Sequence, residues 1–197
     1  MAREMERNAA APAGAGSGGR AAARKGSQGD PPRAVQVVEF LLGKDIFAID
    51  LFNVREVVEY RNITRLPDTP SYIRGIIDLR GEITTIVDLR ERLHIPHDET
   101  EGDRRIIVLD DSITRYKTGI LVDNVTSVST FDQSAVETGT GAVDGRDSAV
   151  VGIIKKRVRV KDRDENQLLI LIDIRRLISD EEIGAVVAAG GAAGIPA

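Results

Sequence analysis

The chain has 197 residues, of which 42% are hydrophobic and 29% charged, and its net charge is −4. This composition is typical of a soluble globular protein, and the absence of cysteine excludes a disulfide scaffold, a thiolate nucleophile and a cysteine-ligated metal. The sequence contains neither a bilayer-spanning run of about 18 apolar residues nor an apolar signal-peptide core of about 7–15 at the N-terminus. We therefore expect a cytoplasmic protein without direct membrane insertion.

The first predicted segment is a leader at residues 1–34, which is rich in Ala and Gly and has no apolar periodicity. Such a segment cannot bury enough surface to offset the entropy of ordering it, so we expect it to be disordered. It holds six basic and three acidic groups, and its basic groups are either solvated or touch an anionic surface. The remaining residues hold 21 basic and 28 acidic groups, and this acidic body disfavours a nucleic-acid partner.

Four β-hairpins are predicted along the body, each with two aliphatic segments around a turn. They lie at residues 35–49 with a turn at 43–45, 72–87 with a turn at 79–81, 105–122, and 151–172 with a turn at 161–166. Short helical turns are expected at 88–93 and 173–178. Ser179 and Glu182 have capping-box spacing and predict the start of a last helix, and residues 184–197 are expected to fray.

The two halves of the body repeat the same order of elements. A glycine begins the second hairpin of each half at Gly75 and Gly152, and an aspartate ends it at Asp88 and Asp173. This internal repeat predicts a mostly β protein of two similar small barrels, with a division near residues 105–115. The longer spacing in the second half predicts an extended last hairpin.

No catalytic, cofactor or metal site is predicted. His94 and His97 have a metal-ligand spacing, but Pro96 would disrupt a shared helix, so an exposed loop is the better interpretation. The basic run at 155–161 predicts a strand with Arg157, Arg159 and Lys161 on one face. This run is either a solvated hairpin or the nucleic-acid ribbon of a small-barrel protein, which is the alternative function. It has no aromatic platform on which bases could stack.

The most informative stretch runs from Leu66 to Leu89, with the sequence LPDTPSYIRGIIDLRGEITTIVDL. Arg80 at its tight turn cannot belong to a core, so it either caps the turn locally or faces a partner. This stretch resembles the signature of the CheW family, including the Leu-Arg-Gly turn and the Val-Asp-Leu strand end. The resemblance covers residues 35–183 and includes Phe40–Gly43, Gly119–Asp123 and the closing Leu-Ile-Asp-Ile.

The resemblance implies two five-stranded SH3-like barrels and an adaptor without catalysis. It implies two partners, the regulatory domain of the histidine kinase CheA and the cytoplasmic tip of methyl-accepting chemotaxis receptors. Recruitment to membrane-associated receptor arrays follows from the second partner. The family pattern places the kinase contact at Val54, Glu56, Gly75, Arg105 and Ile106.

The same pattern assigns receptor coupling to Arg80, Val125 and Val128. Each assignment has a structural alternative: Val54, Val125 and Val128 could be ordinary core, and Arg80 could only stabilise its turn. Arg105 departs from the family, whose members often have an aliphatic residue there, so the detail of the kinase contact is open.

Overall fold

The computed structural model describes residues 34–96, 104–138, 148–160 and 163–192. The chain divides into a unit of residues 1–30 and a unit of residues 31–197, and all described residues belong to the second unit. The predicted leader, apart from Ala34, lies outside the described residues. So do His97, Lys161 and residues 193–197 at the end of the predicted tail.

Eleven strands and two α-helices form the described part of the chain, joined by three short 3₁₀ turns. The strands are β1 (Ala34–Leu42), β2 (Asp45–Asp50), β3 (Val54–Glu59), β4 (Ile73–Leu79), β5 (Glu82–Asp88), β6 (Arg105–Leu109), β7 (Thr118–Val122), β8 (Asn124–Asp132), β9 (Val136–Glu137), β10 (Val150–Val160) and β11 (Arg163–Ile172). The helices are α1 (Leu89–Arg92) and α2 (Asp180–Ala192), and the 3₁₀ turns are Leu51–Asn53, Gln133–Ala135 and Ile174–Arg176. The protein is therefore mostly β, as predicted.

The strands form two sheets. One has six strands in the order β8-β1-β2-β11-β10-β9, and the other has five in the order β3-β6-β7-β5-β4. The first hairpin joins the last one through parallel pairing of β2 with β11, for example Ile46 with Leu169. The sheets therefore do not follow a single division of the chain near residues 105–115, and the prediction of that division needs correction.

The first hairpin pairs with the last one because both of its faces are apolar. Val38 and Phe40 face a large core built by residues of both sheets, whereas Val37 and Ala48 face a smaller core within the six-stranded sheet. A strand buried on both faces stabilises the fold only when it pairs inside a sheet rather than at a free edge. The strands from the far end of the chain supply that pairing.

The predicted hairpins are confirmed as antiparallel pairs of β1 with β2, β4 with β5, β6 with β7, and β10 with β11. The two closed barrels are not confirmed. Among the described residues, the edge strands β3 and β4 of the five-stranded sheet are not ladder neighbours, although Thr64, which follows β3, makes one antiparallel bridge to Ile76 in β4.

Helix α2 corrects the prediction of a frayed tail from residue 184. The hydroxyl of Ser179 accepts a hydrogen bond from the Glu182 N–H at 3.1 Å, which confirms the capping prediction. Ile183 and Val186, one turn apart, are buried in the large core. This burial holds the helix in place beyond the predicted boundary. No helix in the described ranges is long and apolar enough to cross a membrane.

Candidate partner-binding surface

The β4–β5 turn presents Arg80 to solvent. Arg80 and Gly81 both have positive φ, 57° and 87°, and the carboxylate of Asp78 accepts a hydrogen bond from the Gly81 N–H at 2.6 Å. A turn with two residues in the left-handed region is the type that matches the twist of a hairpin. It directs the Arg80 side chain outwards, where 76% of its surface is exposed.

The Arg80 guanidinium pairs with Glu56 on β3. Two of its N–H groups donate to the two carboxylate oxygens at 3.1 and 3.0 Å. In a flat sheet, the edge strands β3 and β4 would lie about 19 Å apart at the usual strand spacing. The five-stranded sheet must therefore curve strongly. The structure brings together one residue expected to contact the receptor and one expected to contact the kinase.

Further charged side chains surround this pair and line a cavity of about 270 Å³ with it. Lys117 Nζ lies 2.8 Å from Asp111 Oδ1 and 3.7 Å from Glu82 Oε2, and Arg55 Nη1 lies 3.2 Å from Asp111 Oδ2. Opposite charges alternate here, so most of them neutralise one another. The described residues include no group of three His, Cys, Asp or Glu side chains that could hold a metal.

Gly75 allows two backbone segments to approach each other closely. Its φ is 135°, and a Cβ atom there would lie 2.1 Å from the carbonyl oxygen of Thr64. That carbonyl accepts a hydrogen bond from the Ile76 N–H at 2.9 Å, and the Thr64 N–H donates to the Ile76 carbonyl at the same distance. A larger residue at position 75 would separate this bridge, which lies beside the open edge of the sheet.

The other residues expected at the kinase contact lie on the paired strands β3 and β6. Val54 is half-buried against the large core, and Arg105 is half-buried at the start of β6, opposite Glu59. Ile106 is fully buried in the core of the five-stranded sheet. Its side chain cannot reach a partner directly, which corrects the expectation for this residue.

Val125 and Val128 lie on β8, an edge strand that was not predicted. They pair with Phe40 and Val38 of β1, and the extra residue Thr126 forms a β-bulge between them. Residues three apart normally point to opposite faces of a strand, but the bulge places both valines on one face. Val125 packs against the large core, whereas 59% of Val128 is exposed. They lie on a different sheet from Arg80.

The described part of the basic run lies on β10, as predicted, and two of its four cations are neutralised. Lys156 Nζ lies 2.8 Å from Glu39 Oε1, and Lys155 Nζ lies 2.9 Å from Glu137 Oε1. Arg157 and Arg159 are exposed, which confirms their predicted alternation. Because both lysines are paired with carboxylates, the strand is a poorer match to a nucleic-acid backbone than its sequence indicates.

Comparisons of the sequence and of the structure with known proteins indicate the same family. The model of the CheW-like domain matches residues 36–182. Chemotaxis protein CheW of Treponema pallidum (strain Nichols) is 30% identical over 154 residues, covering 75% of this chain and 84% of that protein. Chemotaxis protein CheW of Bacillus subtilis (strain 168) is 29% identical over 153 residues, covering 77% and 92%.

The crystal structure of the scaffolding protein TtCheW from Thermoanaerobacter tengcongensis is also similar. It superposes with a TM-score of 0.62 and 31% sequence identity, covering 76% of this chain and 97% of that one. The chain therefore belongs to the CheW-like family of chemotaxis proteins, which are scaffolds or adaptors and not enzymes.

Proposed function

We propose that the chain couples methyl-accepting chemotaxis receptors to the histidine kinase CheA and supports receptor control of kinase activity. The observation that carries this proposal is the exposed pair of Arg80 and Glu56. Exposed ion pairs contribute only about 0–1 kcal/mol to stability, so such an ordered bidentate pair has little value for folding alone. At a binding surface it presents a positioned charge.

The regulatory domain of CheA is the proposed partner of the surface around β3 and the start of β6. Val54, Glu56 and Arg105 lie there, and Val57 and Tyr60 add exposed apolar surface. In the described part of the chain, β3 pairs only with β6, so its other edge is open for a partner. We infer that Gly75 and Ile106 act indirectly, by holding the backbone of this region in place.

The cytoplasmic tip of a chemoreceptor is the proposed partner of Arg80, Val125 and Val128. A receptor helix could lay an apolar stripe against the exposed Val128, next to the half-buried Val125. Arg80 belongs to the other sheet, and we propose that it meets a different part of the receptor tip. The two sheets would then act as two SH3-like, barrel-like units that present separate surfaces.

The proposed mechanism uses contact geometry alone. The adaptor holds kinase and receptor at a fixed distance, and several modest contacts reinforce one another through effective concentration. A receptor signal then shifts the equilibrium between kinase states. This role places the protein in the cytoplasm, recruited to membrane-associated receptor arrays without inserting into the bilayer or binding nucleic acid.

Calorimetric titration of the full chain with the purified CheA regulatory domain, and separately with a soluble receptor tip fragment, tests this proposal. We expect both to bind, and we expect Arg80→Glu to weaken receptor binding. Arg115→Glu is the matched control, because Arg115 is also highly exposed and paired, with Asp180 at 3.3 Å. Absence of binding to both partners, or equal effects of the two substitutions, would contradict the proposal.

A further inference from the structure

The hairpin of β10 and β11 extends well beyond its sheet. In the described residues, β11 pairs with β2 only at residues 169–171, and β10 pairs with β9 only at residues 153–154. In the part of the chain that the structure describes, residues 155–160 and 163–168 continue as two strands that pair only with each other, and we call them the ribbon. Six residues per strand give the ribbon a length of about 20 Å.

One face of the ribbon is basic. Lys155, Arg157 and Arg159 alternate along β10 and are all exposed. Leu168, which lies opposite Lys155 in the register, is 53% exposed and adds an apolar side chain to this face. A basic face that includes an exposed leucine resembles a protein interface more than a phosphate-binding surface.

The base of the ribbon is fixed by its two lysines. Lys156 donates to both carboxylate oxygens of the buried Glu39 at 2.8 and 2.9 Å, and Lys155 pairs with Glu137. Further out, Arg157 and Arg159 have no carboxylate partner within the described ranges. The anchored base therefore presents two exposed guanidinium groups, of which Arg157 lies opposite Asn166 and Arg159 opposite Asp164 in the register.

The ribbon also has open edges. The outer edge of β10 beyond residue 154 has no strand partner in the part of the chain that the structure describes, so its backbone N–H and C=O groups are available. A two-stranded hairpin is only marginally stable in water, and a third strand stabilises it. Extended peptides commonly bind such edges by adding a strand.

We propose that the ribbon is a docking arm for an extended acidic segment of a partner protein, which adds to the outer edge of β10. The side-chain period of two then places every second residue of the segment beside Lys155, Arg157 or Arg159. A segment with Asp or Glu at alternate positions matches this face. Backbone pairing at the open edge of β10 needs the N–H and C=O groups of a peptide, which a polynucleotide does not have, so this edge favours a peptide over nucleic acid.

Fluorescence anisotropy with labelled peptides and the full chain tests the proposal. The probe is an eight-residue peptide of alternating Glu and Val. One control peptide replaces Glu by Lys, and another keeps every Glu but replaces every Val by Pro, which prevents strand pairing. We expect only the Glu-Val peptide to bind, and more weakly at high salt. Equal binding of the Glu-Pro peptide, or tighter binding of a DNA duplex, would overturn the proposal.

Two variants connect binding to the ribbon. Arg157→Glu with Arg159→Glu should weaken binding about tenfold, because two attractive contacts become repulsive. Arg61→Glu with Arg65→Glu changes the same number of exposed charges in the segment between β3 and β4 and should leave binding unchanged. The neutral pair Arg157→Gln with Arg159→Gln should give an intermediate loss, and circular dichroism verifies that each variant is folded. An unchanged affinity in the ribbon variants would refute the docking arm.

Discussion

Lys156 on β10 reaches Glu39 on β1 across two intervening strands, with 2.8 Å between Nζ and Oε1. Arg80 and Glu56 make a similar connection between opposite edges of the five-stranded sheet. In each sheet, an ion pair thus connects strands that are not hydrogen-bonded neighbours. The pairs differ in burial, because Glu39 is almost fully buried whereas Arg80 is highly exposed. We therefore expect the first to contribute to stability and the second to binding.

Removing the ammonium group with Lys156→Met should destabilise the fold by about 2 kcal/mol at neutral pH, because Glu39 would remain buried without its main partner. Urea unfolding measures this change. Lys155→Met is the matched control in the same strand. Its pair with Glu137 is exposed, so a loss below about 1 kcal/mol is expected. Equal losses for the two variants would contradict the structural role of Lys156.

The same pair predicts a pH dependence. Burial raises the pKa of Glu39, but hydrogen bonds from Lys156, Ser129 and Ser127 and the Lys156 charge outweigh it, so this pKa lies below its usual value. The pair's contribution is therefore complete above the unfolded pKa of about 4.3 and is lost as the pH falls through the lower folded pKa. The stability gap between wild type and Lys156→Met should narrow in this acidic range. A gap that widened on acidification would contradict this account.

Arg80→Ala should change the free energy of unfolding by less than about 1 kcal/mol, because the pair with Glu56 is exposed. The same variant should lose a large part of receptor-dependent kinase activation. Urea unfolding and a kinase assay with receptor-containing membranes measure the two quantities. A loss of stability large enough to account for the lost activation would instead assign Arg80 to turn stabilisation.

Gly75→Ala should destabilise the protein by about 2–4 kcal/mol, since the new methyl group would overlap the Thr64 carbonyl and φ is positive. Gly81→Ala separates these two causes. Gly81 also has positive φ, but nothing lies within 4 Å of its added Cβ, so a cost of about 1 kcal/mol is expected. Thermal unfolding compares the variants, and equal costs would show that the Thr64 contact is unimportant.

Arg90 connects α1 to elements of the other sheet. Its guanidinium donates from Nε to Asp123 Oδ2 at 2.9 Å, and the Gly43 N–H donates to the same oxygen at 2.6 Å. Because Arg90 is almost fully buried, Arg90→Met should destabilise the fold by about 2–4 kcal/mol. Arg55→Met, which removes an exposed pair with Asp111, should have little effect in the same urea titration.

Local signals explain what the sequence predicted correctly. Gly43 and Gly81 indicate the turns of their hairpins, because glycine adopts the positive φ of a tight turn more easily than other residues. The capping-box spacing of Ser179 and Glu182 likewise indicates the start of α2. Each of these features depends on residues within a few positions of one another.

Non-local pairing and irregular strands explain what was not predicted. The sequence of β8 lacks a simple alternation of apolar and polar residues, because the bulge at Thr126 places Val125 and Val128 on one face. Lys156 and Glu39 are 117 residues apart, and no local pattern connects them. The parallel pairing of β2 with β11 is equally remote along the chain, which is why the sheets do not follow the two sequence halves.

Co-sedimentation of CheA with receptor-containing membranes tests the central claim most directly. The amount of kinase in the pellet and its activity are measured with no adaptor, with the intact chain and with Arg80→Glu, and Arg115→Glu serves as the matched surface control. We predict that the intact chain and the control raise both quantities and that Arg80→Glu raises them much less. If the intact chain left kinase recruitment and activity unchanged, the proposed coupling function would be wrong.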